Sequence, residues 1–309
     1  MLRLGGLIDP HASGESARDR RAYCLKVIGT TRRELEQRFD WRLERLDVFF
    51  VDNPDANAHL IRHGDRYGIA LYAGLPELIH GYITAALDAR EFLQLYLSAQ
   101  EREEWALRFL GMVVEHVYLH EAAHALRGHL LYLERTTGET TVDERFRWQR
   151  RYIELDADVH AVDMWLAITE AADDFPASDD LRLDLYFQKL LTLILLHHAY
   201  DRDGGPVLRR GRTTHPAAIH RAMLFDQMLF GTFMDRYQLP RKAMLNVQNQ
   251  AWWEASVAAQ AAGLVKNRWW GDSGSRRGDL QFKRMWRYFV NTIGPRLDRF
   301  VEGLPDDLV

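Results

Sequence analysis

Residues 119–129 read LHEAAHALRGH, with His120 and His124 four apart and Glu121 directly after the first. On an α-helix the i and i+4 positions share a face, so two imidazoles can point at one divalent cation. Glu121 is turned by about 100° from His120, which sets its carboxylate beside that ion and within reach of a bound water. This is the arrangement that hydrolysis by an activated water requires. With 13 histidines in the chain the short pattern can also arise by chance, so it needs support from elsewhere.

A catalytic zinc takes three protein ligands and keeps one position for water. A third histidine six residues after His124 would complete one known spacing, but Leu130 stands there. The stretch ELDADVHA, 154–161, supplies a better candidate: Glu154 and Asp158 are one turn apart, and Ala157 and Ala161 let this helix approach the first closely. Glu154 then reaches the ion. Asp158 is placed to accept the second ring N–H of a ligand histidine, which fixes its tautomer.

Together these residues resemble the gluzincin zinc peptidases, and more narrowly the HtpX and CAAX-prenyl-protease family. HEAAH at 120–124 and ELDAD at 154–158 match its paired motifs, and HPAAIHR at 215–221 is similar to its later His-Pro element. VDNPDANAHLI followed by IALYAGLPELI resembles its hairpin. A weaker likeness, to the Lit-type phage-exclusion peptidases, rests on length and the zinc motif. The resemblance implies a zincin-type helical core and a zinc ion held by His120, His124 and Glu154. It also implies Glu121 as proton carrier, with His215 facing the oxyanion and Arg221 orienting Glu154. Protein or peptide is the expected substrate, under the control of an activating or inhibiting protein partner. Two alternatives stay open: a binding protein that keeps the scaffold without turnover, and a hydrolase acting on a non-peptide amide.

Around these motifs the periodicity predicts an α+β, mostly helical chain. An amphipathic helix is expected over 15–46, with Leu35, Phe39, Leu43 and Leu46 on one face. LDVFFV and YGIALYA, flanked by turn-prone segments around AHLI, predict a small antiparallel sheet, whose 67–73 strand is free to pair with an extended substrate. Helical patterns follow near 76–97, 101–134, 144–171, 179–201 and 216–230, then a Trp-rich helical C-terminal extension. The expected units are 1–46, 47–230 and 231–309.

A net charge of -4 gives no global reason to expect nucleic acid. The run LLTLILL is too short to span a bilayer, which needs about 20 apolar residues. One cysteine rules out an internal disulfide, and the opening residues show no secretion-signal pattern, so a cytoplasmic protein is expected. His116, His129, His160, His197, His198 and His220 are expected to be structural or supporting, and the tryptophans to be core or interface anchors.

Overall fold

A computed structural model describes residues 15–39, 46–63, 66–89, 92–93, 97–137, 144–172, 175–202, 218–263, 283 and 286–303. Helix α1 (Glu15–Phe39) precedes three strands, β1 (Leu46–Val51), β2 (Ala58–His63) and β3 (Arg66–Tyr72). Among the described residues eight α-helices follow: α2 (Gly74–Leu87), α3 (Ala99–Leu126), α4 (His129–Thr137), α5 (Glu144–Ala171), α6 (Asp179–Arg202), α7 (Ala218–Tyr237), α8 (Arg241–Ala261) and α9 (Gly294–Glu302). A π-helical turn, Phe289–Ile293, leads into α9. The chain is therefore α+β and mostly helical, as its periodicity indicates. Leu46, placed on the first helix by spacing alone, instead begins β1.

The sheet is mixed rather than antiparallel. Its order is β1-β3-β2, with β2 antiparallel and β1 parallel to β3. The strand buried at every position but its first, β3, takes the middle, where both of its edges are paired. The six residues between β1 and β2 carry the chain past that position. Asn53 turns them by accepting the Asp55 N–H at 2.9 Å, and Gly74 N–H closes them by donating to Asn53 O at 3.0 Å. A Cβ on Gly74 would lie 1.8 Å from the Pro54 carbonyl oxygen, so only glycine permits this packing. Because β3 has no free edge, the expectation that its strand pairs with substrate is corrected: the sheet edges belong to β1 and β2.

The axis of the fold is α3. A capping box starts it, with Ser98 Oγ accepting the Glu101 N–H while Glu101 accepts the Ser98 N–H. From Val113 to Ala125 the helix is buried on nearly every face, because α1, α2, α5, α6 and the sheet all pack against it. Burying a single leucine such as Leu119 contributes about 1.5–3 kcal/mol. Small residues line the α3–α5 contact, where Ala122, Ala123, Ala157 and Ala161 are all buried.

The 101–134 pattern is not one helix. α3 stops after Leu126, Gly128 takes a left-handed φ of 58°, and α4 starts at His129. The glycine accommodates that conformation without strain and redirects the chain. At the other end, position 230 lies within α7, and α8 places Met244, Ala251, Ala255 and Ala258 in the same core as α3. A second cluster gathers Phe289, Leu297 and Phe300 against Tyr132, Tyr152 and Leu155, so the last helix covers α4 and α5. Among the described residues, no helix is long and apolar enough to cross a membrane.

Candidate metal centre

His120 and His124 project from the buried half of α3 and Glu154 from α5. Their ligand atoms face one another: His120 Nε2 lies 3.1 Å from His124 Nε2 and 3.4 Å from Glu154 Oε2, and His124 Nε2 lies 3.8 Å from the same oxygen. A tetrahedron with metal–ligand bonds of about 2.0–2.1 Å separates its vertices by roughly 3.3–3.4 Å. The three atoms therefore fit three corners of such a centre. Their chemistry fits as well, since two imidazole lone pairs and a carboxylate converge on a space that only a proton or a cation can reconcile.

Each imidazole is held from behind. His120 Nδ1 lies 2.9 Å from Asp158 Oδ1, although ring and carboxylate are not aligned as a hydrogen bond. Asp158 is completely buried and takes two hydrogen bonds from Arg221, from Nε at 2.8 Å and from Nη2 at 2.5 Å. Burial alone would raise the Asp158 carboxyl; the Arg221 guanidinium and His120 outweigh it and hold the group well below the usual carboxylate range. Burial also pushes His120 down, but the Asp158 and Glu154 carboxylates overcome this and lift it to about 9. Proton and cation thus compete for this ring.

Behind His124 stands His129, whose Nδ1 is 2.8 Å from His124 Nδ1 and whose Nε2 is 2.9 Å from Asp156 Oδ2. Arg127 Nε donates to Asp156 Oδ2 at 2.9 Å, and its Nη2 reaches Asp298 of α9 at 2.5 Å. Glu121 is buried beside the pair, and its Oε2 accepts the Leu60 backbone N–H at 2.7 Å. Tyr72 N–H donates to Asn57 O, so alternate residues from Asn57 face β3, while Ala58, Leu60 and Arg62 turn their backbone groups outward. The Glu121 carboxylate is consequently fastened to the outer edge of β2. Tyr200 of α6 senses the charges of Arg221, Glu121 and Asp158 from nearby.

The spacing argument thus finds His120, Glu121, His124, Glu154 and Asp158 gathered in one place. Arg221 joins them, but its hydrogen bonds go to Asp158, one turn on from Glu154. His215 lies outside the described residues. Asp156 was not anticipated. His129 stands five residues from His124, about 140° around a continuous helix, and the two rings meet only because the backbone turns at Gly128. A glycine directly before a histidine was the one available signal.

Comparisons with family models, with curated proteins and with solved structures find no match for this chain.

Proposed function

We propose that this protein is a zinc-dependent endopeptidase. The observation that carries the reading is the convergence of His120 Nε2, His124 Nε2 and Glu154 Oε2 at tetrahedral spacing, with the Glu121 carboxylate next to them at the open edge of β2. A zinc ion held by these three residues would polarise a carbonyl and lower the pKa of a bound water to about 7. Glu121, beside that site, would serve as the proton carrier, taking a proton from the attacking water and passing it to the departing amine. The Leu60 N–H bond to Glu121 Oε2 fixes the carboxylate and leaves Oε1 without that bond. Arg221 and Asp158 act by holding the His120 ring, and the outward backbone groups of β2 can align an extended peptide through main-chain hydrogen bonds.

A regulating protein partner and a cytoplasmic location belong to the same reading. In keeping with a reducing compartment, Cys24 is a buried free thiol that burial raises to about 12, which leaves it unreactive.

The test pairs metal analysis with Glu121→Gln. The purified wild type should carry one zinc per chain, the variant should keep the metal, and mapping of new protein termini in expressing cells should show cuts with the wild type alone. A zinc-free wild type, or a variant that still cuts, overturns the proposal. Glu121-dependent cleavage of small amides without new protein termini would redirect it to a non-peptide substrate.

A further inference from the structure

We infer that His129 and Asp156 are positioning residues for His124, forming a neutral imidazole relay that sets which of its ring nitrogens is offered to the metal. The inference rests on the zinc reading above and adds two residues that the ligand set does not contain.

The protons can be assigned from the acceptor end. Asp156 is an ionised carboxylate, because Arg127 donates to it from Nε at 2.9 Å and from Nη2 at 3.4 Å. An anion only accepts, so His129 must donate to it through Nε2, at 2.9 Å. The imidazole is buried with an exposure of 0% and carries its one proton on that nitrogen. Nδ1 of His129 is then a lone pair, and the only group that can fill the 2.8 Å contact with it is an N–H on His124 Nδ1. His124 is left with its own lone pair on Nε2, the atom that faces His120 and Glu154. Edge-to-face contact of the two rings, with centroids 4.9 Å apart, allows in-plane approach of one nitrogen to the other.

The two metal-facing histidines are therefore supported differently. His120 meets a carboxylate directly and without good alignment, whereas His124 meets a well-aligned neutral ring and reaches its carboxylate one step later. Removing the relay leaves a buried N–H of His124 without an acceptor and makes both tautomers accessible.

Zinc affinity of the full-length protein, measured by competition with a chromophoric chelator, tests this directly, together with the visible spectrum after Co²⁺ substitution. His129→Leu and Asp156→Asn should each weaken zinc binding by about 10–100-fold and shift the Co²⁺ bands. His129→Asn keeps an acceptor near the Nδ1 position and should recover part of the loss. The melting temperature of the metal-free proteins separates positioning from packing: the affinity loss must exceed what accompanies an equally destabilising change at a distant buried site, Asp226→Asn. Unchanged affinity and spectra in Asp156→Asn and His129→Asn, with a zinc-loaded wild type, overturn the relay and leave the metal reading intact. A wild type that binds no zinc removes both.

Discussion

Two buried polar clusters of this protein each contain a carboxylate and differ in what their groups face. Asp226 of α7 is 8% exposed and accepts Gln248 Nε2 at 2.7 Å, Trp252 Nε1 at 2.9 Å and Tyr186 Oη at 3.3 Å. Donors point at an acceptor throughout, so the cluster ties α6, α7 and α8 together and has nothing left to offer. In the centre between α3 and α5, His120 Nε2, His124 Nε2 and Glu154 Oε2 converge on one space that a proton on His120 or a cation must reconcile. Convergence of three ligand atoms on one space, more than burial or the number of ionisable residues, makes the second cluster one that could hold a cation. Charge differs in the same sense. Among the described residues no cation bonds Asp226, whose carboxyl burial raises, whereas against burial Arg221 holds Asp158 low and His129, then Arg127, hold Asp156 low.

The comparison can be broken at several points. The largest effect on stability is expected from Arg221→Leu, which leaves Asp158 buried without its cation and should lower the unfolding free energy by about 3–5 kcal/mol in urea titrations. Asp226→Asn removes no ion pair and should cost only about 1 kcal/mol. Equal losses would show that the two carboxylates are not held by different physics. Next, Glu154→Gln should reduce zinc affinity by more than about a hundredfold, beyond the range of an outer partner, while Asp226→Asn leaves the metal content at one per chain. If both variants lose zinc alike, the binding geometry described here is wrong.

A third effect concerns pH. Burial lowers His116 and His197 well below 6.5, and takes His198 and His129 to about 4. These rings are neutral when folded and take up protons when unfolded, so the contribution is whole above pH 6.5 and is lost as the pH falls toward 4. His198 alone should account for about 2 kcal/mol by pH 5. Denaturation of the metal-free protein at pH 7.5 and pH 5 measures the slope, and His198→Gln should flatten it; a pH-independent unfolding energy would refute the assignment. A further effect is at Gly128, where alanine meets a φ of 58° and should lose about 1–2 kcal/mol. Because that turn aims His129, the same substitution should also weaken zinc binding, and a purely thermal loss would separate the turn from the site.

Much of the centre was legible from spacing, because periodicity is a local property of the chain. His120 and His124 share a helix face for the same reason that Glu154 and Asp158 do, and Ala157 and Ala161 announce a close helix contact. The helical order from α2 to α7 follows from the same rule except at Gly128, where one expected helix is divided into α3 and α4. Sheet topology did not follow, since LDVFFV and YGIALY carry no mark of which neighbour each strand will take. The central place of β3 makes it the most buried of the three strands, and it leaves β2, the least conspicuous of them, with the edge that holds Glu121.

The amino-acid order by itself determined which side chains each helix would present together. Only the folded chain decided which of those faces would meet, that His129 would stand behind His124, that Asp156 and Arg127 would anchor it, and that Arg221 would bond Asp158. The reason is physical: side-chain direction on a helix is set by a few neighbouring residues, whereas the meeting of α3, α5, the sheet edge and α9 depends on apolar burial summed over the whole core and on one left-handed glycine that redirects the backbone.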